Sequence, residues 1–201
     1  MIDKKVLATL SKADSKLGQL IAANGPPKFE PVADLFRAIA ESIIAQQLAW
    51  AAASTIIRRF KELYPGKDFP TPQDVVNTPF DRLRGVGLSR AKATYIQDLA
   101  AKIIEGTVDL AKLPAMSDDE VITHLIAVKG IGRWTAEMVL IFDLGRLDVL
   151  PVDDLGVRKG FQKVYGLKEL PKPEKMMKIA EKWRPYRSVG TWYMWKAVDQ
   201  V

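Results

Sequence analysis

The amino-acid sequence predicts an all-α protein. Apolar residues recur at helical spacing along most of the 201 residues, and helix-capping patterns precede several of these segments. The one β-like run, residues 147–152, is short and contains Pro151, which favours an extended linker over a strand. Hydrophobic residues make up 48% of the chain, enough to bury a sizeable core.

The elements follow from the apolar pattern and from its interruptions. Ser89 is expected to cap one helix, and the sequence from Ser117 to Glu120 matches a capping box that starts another. The pattern over 31–63 predicts two helices hinged near residues 46–50. The other helices are expected at 3–24, 73–77, 80–83, 89–105, 117–128, 132–142, 155–164, 174–183 and 188–199.

Composition excludes several classes of protein. The chain has no cysteine, which excludes disulfides, thiolate zinc sites and cysteine-ligated iron–sulfur clusters. No apolar run is long enough to span a bilayer, and acidic residues interrupt the amino-terminal lysines, so neither a membrane anchor nor a signal peptide is expected. The net charge is +6, and residues 156–196 hold eleven Lys and Arg against three Glu. A basic segment of this kind favours a polyanionic partner, although basic surfaces often serve solubility alone.

Two Gly-x-Gly turns each lead into a predicted helix. The first has Gly85 and Gly87, and the second has Gly130 and Gly132 between two apolar helices. Glycine permits unusual backbone angles and leaves amides open to close approach, and a helix start directs unpaired N–H groups at its surroundings. A DNA phosphate suits such a turn. An ordinary helix–helix connection is the alternative for either turn.

Two adjacent carboxylates, Asp153 and Asp154, follow Pro151 and Val152. By themselves they are typical of a helix N-cap and a first-turn acid ahead of Leu155. A catalytic carboxylate is the other interpretation, and the pair alone does not favour it.

Longer strings resemble a known family. The segment from Leu125 to Gly160, LIAVKGIGRWTAEMVLIFDLGRLDVLPVDDLGVRKG, resembles the helix-hairpin-helix and Gly/Pro…Asp signature of the helix-hairpin-helix DNA glycosylase superfamily. The string IIAQQLAWAAASTIIRRF, residues 43–60, resembles an early helix pair of its alkyladenine branch, the AlkA-type and yeast Mag-type enzymes. The resemblance implies two helical lobes with a cleft between them. One lobe would be residues 34–142, with the hairpin motif at about 125–142, and the other, basic lobe would be 1–33 with 143–201.

The resemblance implies a monofunctional DNA glycosylase that excises alkylated purines of the 3-methyladenine and 7-methylguanine type. Asp154 falls on the family's catalytic position, where a carboxylate stabilises the cationic sugar or activates water. Asp153 is expected to cap the helix or to contact nearby backbone, and it is the alternative catalyst if the alignment is off by one. Relatives that also nick the strand have a lysine where this chain has Trp134, and an indole cannot form a Schiff base.

The resemblance also implies a base pocket and a wedge that fills the gap left by the flipped nucleotide. Pocket candidates are Trp134, Trp195, Met138 and Leu155; the last two replace family tyrosines, which leaves the substrate range open. Gln47 or Leu48 would enter the base stack beside Gln46, although a hydrogen-bonding pair at a helix end is the alternative. The full set of expected DNA-binding residues is Gly130, Ile131, Gly132, Arg133, Thr135, Gln46, Gln47, Leu48, Gly87 and Ser89.

No cofactor is expected to be required, but family members often bind a monovalent cation through hairpin carbonyls. The matching carbonyls belong to Ile126, Val128 and Ile131, and the cation would be Na⁺ or K⁺. The expected partner is double-stranded DNA with a damaged base, and the protein is expected to be a monomer without membrane association. It would act in the cytoplasm with the nucleoid in a prokaryote, or in the nucleus in a eukaryote.

Two rival functions fit the same features. A DNA-binding protein that has lost catalysis would use the same hairpin and basic segment. A glycosylase for a deaminated or etheno base would differ only in the shape of its pocket.

Overall fold

The structure is a computed structural model that describes residues 2–199. All regular structure in this range is helical, which confirms the all-α class, and residues 147–152 form no strand. None of the helices in this range is both long and apolar enough to cross a membrane. The chain divides into two compact units. We call Val32–Ala136 the hairpin unit, and Met1–Pro31 with Glu137–Val201 the acid unit.

The helices are numbered in chain order. They are α1 (Lys4–Ala13), α2 (Ser15–Asn24), α3 (Leu35–Ala45), α4 (Trp50–Glu62), α5 (Pro72–Val76), α6 (Phe80–Gly85), α7 (Arg90–Ile104), α8 (Asp118–Ile126), α9 (Arg133–Met138), α10 (Leu155–Tyr165), α11 (Pro173–Ala180) and α12 (Arg187–Asp199).

The hairpin unit confirms the local sequence signals. Ser89 Oγ accepts the amide of Lys92 at 3.2 Å and starts α7, and Ser117 with Glu120 forms the expected capping box of α8. The hinge expected near residues 46–50 separates α3 from α4. The core is apolar and fully buried, and it includes Ile39, Ile43, Ile44, Leu83, Ile96, Leu99 and Leu125. This core packs α7 and α8; one Gly-x-Gly turn precedes α7 and the other follows α8.

The acid unit corrects one expectation. The single helix predicted over 3–24 is wrong, because the chain breaks at Asp14 between α1 and α2. Asp14 Oδ1 caps α2 by accepting the amides of Lys16 and Leu17, while Oδ2 accepts the hydroxyl of Tyr165 and the indole N–H of Trp183. These partners lie far along the chain, so helical spacing around Asp14 does not reveal them.

The predicted helix over 132–142 changes its hydrogen-bonding pattern part-way. Arg133–Met138 form α9, and Val139–Asp143 follow as a π-helical turn in which the Leu144 amide donates to the Val139 carbonyl at 2.9 Å. Such turns are rare and are often found at functional sites. The turn lies in the acid unit, and its Phe142 contacts Trp195 of the same unit.

Candidate active site and DNA-binding surface

The second Gly-x-Gly turn joins α8 to α9, and its two glycines serve different needs. Gly130 has φ 79°, and a Cβ there would lie 2.1 Å from the ring of Tyr95. Both the backbone angle and the packing against α7 therefore require glycine at this position.

Neither the backbone angle nor the packing requires glycine at position 132. Its φ is ordinary, and a Cβ would meet no protein atom within 4 Å. Its carbonyl accepts the Ala136 amide at 3.0 Å, so α9 begins here. Glycine at this point keeps the start of the helix open from outside, as close approach of a ligand demands.

The first turn precedes α7 in a similar way. Gly87 has φ 105°, and a Cβ there would lie 3.3 Å from Ile56 Cγ1. The Ser89 hydroxyl caps α7, so this expected DNA contact also has a structural role. Both Gly87 and Ser89 are exposed and accessible to a ligand.

Residues 46–49, the wedge loop, connect α3 to α4. Gln47 adopts a left-handed backbone (φ 57°) that is uncommon for a residue with a side chain, and Gln47 and Leu48 are both exposed. Gln46 Nε2 donates to the Gly130 carbonyl at 3.1 Å. This hydrogen bond joins the wedge loop to the hairpin, and it assigns Gln46 a contact within the protein that its sequence position did not reveal.

A cavity of about 490 Å³ lies between the wedge loop and the hairpin. Trp134 is 46% exposed and contributes an aromatic wall, whereas the neighbouring expected DNA contact Thr135 is only 4% exposed. Arg133 is exposed and Ile131 is buried. The lining residues are Ser42, Ala45, Gln46, Gln47, Gly130, Trp134 and Thr135.

Asp154 is the N-cap of α10, and its side chain is held at a fixed place. Its Oδ1 accepts the Val157 amide at 2.7 Å and the Trp195 indole N–H at 2.9 Å, and the residue is 9% exposed. Of the two roles expected for Asp153, the helix cap is wrong: Asp154 has the capping position and Asp153 is exposed. Capping fixes the carboxylate and is compatible with a catalytic role.

The surroundings of Asp154 include two residues that sequence analysis missed. The Trp195 ring stacks on Phe142 with centroids 5.7 Å apart and planes 27° apart. A Cβ on Gly156 would lie 2.9 Å from Trp195 Cδ1 and 3.1 Å from Asp154 Oδ1. Glycine at 156 therefore permits the contact between the carboxylate and the indole.

The other pocket candidates occupy different environments. Leu155 is 52% exposed and Met138 is partly buried. The grouping of Trp134, Trp195, Met138 and Leu155 in one base pocket stays a prediction.

Comparison with known proteins identifies the family. The family described as HhH-GPD superfamily base excision DNA repair protein matches residues 40–185, most of the chain. The chain belongs to the HhH-GPD superfamily. The match includes both Gly-x-Gly turns, the wedge loop and Asp154.

Individual relatives place this HhH-GPD protein beside the alkyladenine branch. DNA-3-methyladenine glycosylase 1 of Schizosaccharomyces pombe is 38% identical over 170 residues, which are 84% of this chain and 73% of that protein. The structure of 3-methyladenine DNA glycosylase Mag1 from the same yeast, in complex with abasic DNA, superposes with TM-score 0.82 at 32% identity and covers 96% of both chains. A DNA-3-methyladenine glycosidase from Bacillus halodurans gives TM-score 0.87 at 35% identity, covering 98% of this chain and 91% of that one.

Several of the cations in residues 156–196 are engaged within the HhH-GPD protein. Arg184 and Arg187 form ion pairs with Asp148 at 2.9 and 2.7 Å, and Lys182 lies 3.1 Å from Asp14. Less of this charge is available to a polyanion than the composition alone indicates. Among residues 2–199, no group of three or more His, Asp or Glu is arranged to hold a metal ion.

Proposed function

We propose that the protein is a monofunctional DNA glycosylase that removes alkylated purines of the 3-methyladenine and 7-methylguanine type from double-stranded DNA. The observation that carries this proposal is the fixed, largely buried carboxylate of Asp154 in a chain of the HhH-GPD superfamily. The names of the relatives support the substrate class.

Asp154 would act on the sugar of the flipped nucleotide. The bond between C1′ and the base nitrogen breaks, and its electron pair leaves with the base. The carboxylate stabilises the positive charge that develops on the sugar, and water adds its oxygen to C1′ and releases a proton. Because Oδ1 is already held by two donors, the carboxylate needs little reorganisation as the charge develops.

Trp134 supports hydrolysis over a lyase reaction. A strand-nicking relative forms a Schiff base through a lysine at this position, and an indole nitrogen cannot do so. With the glycosidic bond broken by water, the product is an intact strand with an abasic site.

The hairpin unit would hold the DNA. The turn from Gly130 to Arg133 offers amides to a phosphate, and the wedge loop places Gln47 or Leu48 in the gap that base flipping leaves. The Ile126, Val128 and Ile131 carbonyls would hold Na⁺ or K⁺ at the hairpin. The Val128 carbonyl also accepts the Ile131 amide at 3.1 Å, and its second lone pair can bind a cation.

The pocket would stack the flipped base against Trp134 and Trp195. A methylated purine can have positive charge, which attracts the electron-rich face of an indole. Met138 and Leu155 leave this pocket less aromatic than one with tyrosines, so deaminated and etheno bases belong in any substrate test.

Single-turnover reactions on duplexes that each contain one lesion test the proposal, with released bases identified by mass. We expect release of 3-methyladenine or 7-methylguanine and an intact strand until hot alkali is added. Strand nicking without alkali would contradict the monofunctional assignment. Tight binding to abasic DNA without release of any base would favour the DNA-binding alternative. We also propose that the protein acts as a monomer, in the cytoplasm with the nucleoid of a prokaryote or in the nucleus of a eukaryote. Sedimentation of the purified protein tests the first proposal, and microscopy of a tagged chain in cells tests the second.

A further inference from the structure

The side chain of Lys92, on α7, lies against the carboxyl end of α3. Its Nζ donates to the Ile44 carbonyl at 2.8 Å and to the Gln46 carbonyl at 2.6 Å. The last carbonyls of a helix have no partner within the helix, so an ammonium group satisfies them well. Lys92 is partly buried, and two of its three ammonium N–H groups donate these hydrogen bonds. Both features distinguish it from an exposed phosphate-binding lysine.

These bonds fix the start of the wedge loop. Gln46 has its carbonyl held by Lys92 and its side-chain Nε2 on the Gly130 carbonyl. Gln47 follows at once in the left-handed conformation. This backbone is uncommon for a residue with a side chain, and the surrounding hydrogen bonds stabilise it. They are the two bonds of Gln46 and the bond from the Leu48 amide to the Ala45 carbonyl at 3.1 Å.

The same helix also holds the hairpin. Tyr95 packs against Gly130, and Asp98 Oδ2 accepts the Lys129 amide at 2.8 Å. Lys92, Tyr95 and Asp98 are spaced three residues apart along one side of α7. The first turn of α7 therefore contacts the wedge loop through Lys92, and its next two turns contact the hairpin through Tyr95 and Asp98. Burial lowers the pKa of the Lys92 ammonium, consistent with a lysine used inside the protein.

We propose that Lys92 is a positioning residue for base flipping, which holds the wedge loop at a fixed place relative to the hairpin before DNA binds. This inference rests on the proposed function and deepens it. A wedge that is already ordered enters the base stack without an ordering cost at the moment of flipping. Gln46 completes the arrangement through Gly130 and is a positioning residue of the same kind.

The test compares Lys92→Met with Lys61→Met on two substrates. Lys61 is a lysine of the same unit that lies 3.1 Å from Asp68, away from the wedge loop. One duplex has 7-methylguanine opposite cytosine, and the other has it opposite a tetrahydrofuran abasic analogue, where no pairing resists flipping. We expect Lys92→Met to slow single-turnover excision about tenfold or more on the paired lesion and less than about threefold on the unpaired one. Lys61→Met should leave both rates within about twofold of wild type.

If Lys92 had only a structural role, Lys92→Met would slow excision equally on both substrates, and that result would overturn the proposal. Unchanged rates on both substrates would also overturn it. If Lys92→Met does not fold, Gln46→Met decides by the same comparison. If the wild-type protein excises neither lesion, the proposed function fails. The wedge is then judged by 2-aminopurine fluorescence beside a tetrahydrofuran site at saturating protein. Wild type should change this signal and Lys92→Met should change it much less; an equal change would overturn the proposal.

Discussion

The indole nitrogen of Trp195 donates to the same oxygen of Asp154 that accepts the Val157 amide, at 2.9 and 2.7 Å. One donor comes from the first turn of α10 and the other from α12. The carboxylate is thus fixed by two elements that are remote from each other in the chain. Trp195 was expected only as a pocket wall, which stays a prediction; the contact shows that it holds the Asp154 carboxylate.

Trp195→Phe is expected to slow excision about tenfold, because it removes the N–H donor to Asp154 and keeps an aromatic ring beside Phe142. Single-turnover rates at saturating protein measure the effect. Trp192→Phe, on the same helix and without a bond to Asp154, is the matched control. Equal rates for Trp195→Phe and wild type would show that the Trp195 hydrogen bond is not needed to position the carboxylate.

Local signals predicted much of this molecule, and long-range contacts account for what they missed. The caps at Ser89 and Ser117 and the hinge before Trp50 depend on residues a few positions apart, and the structure confirms them. The break at Asp14 depends on Tyr165 and Trp183, whose positions in the fold the sequence does not supply.

In the candidate site, too, the sequence did not reveal features that depend on exact helix boundaries or on long-range contacts. The identity of the cap, Asp154 rather than Asp153, depends on where α10 begins to within one residue, which is finer than a sequence pattern resolves. The role of Lys92 depends on α7 lying beside the end of α3. A lysine three residues after a cap has no local feature that indicates it.

We expect Gly130→Ala to lower the stability of the fold and Gly132→Ala to weaken DNA binding. Gly130→Ala forces a Cβ into the Tyr95 ring at positive φ, so it should lower the free energy of unfolding by about 2 kcal/mol or more. Gly132→Ala meets nothing in the protein and should cost at most about 1 kcal/mol as a change at a helix start.

The main effect of Gly132→Ala should be weaker binding to duplex DNA, by about tenfold or more, because the methyl group blocks the approach of a phosphate. Urea unfolding and fluorescence anisotropy measure the two effects. Wild-type affinity for Gly132→Ala would place the phosphate contact elsewhere.

The carboxyl group of Asp143 should make the free energy of unfolding depend on pH. Burial raises the pKa of its carboxyl to about 6, above the ordinary value of 3.8 that applies in the unfolded chain. The folded protein therefore binds this proton more tightly, and ionisation of Asp143 costs stability progressively from about pH 4 to pH 6 and fully above that. Asp143→Asn should raise the free energy of unfolding by about 1–2 kcal/mol at pH 8 and change it little at pH 4. An equal gain at both pH values would show that ionisation is not the cause.

Asp14 and Asp3 form a matched pair of helix caps. Both accept an amide at the start of a helix, but Asp3 is exposed and Asp14 also accepts Tyr165 and Trp183 in a buried setting. Burial alone would raise the pKa of Asp14, and these hydrogen bonds outweigh it and leave the pKa below its usual value.

Asp3→Ala should cost about 1 kcal/mol of unfolding free energy, and Asp14→Ala about 3–5 kcal/mol because its buried partners lose their acceptor. Urea unfolding at neutral pH measures both variants. Similar losses would show that Asp14 contributes only as a cap.

Asp154→Asn compared with Asp153→Asn tests most directly whether Asp154 is the catalytic carboxylate. Asparagine is a good N-cap, so Asp154→Asn can keep the bonds to Val157 and Trp195 while losing the charge. Asp153→Asn removes the same charge one residue away, on an exposed side chain. In single-turnover excision of 7-methylguanine, Asp154→Asn should lose about 100-fold or more in rate and Asp153→Asn less than about twofold. Excision by Asp154→Asn at the wild-type rate would contradict a catalytic role for Asp154.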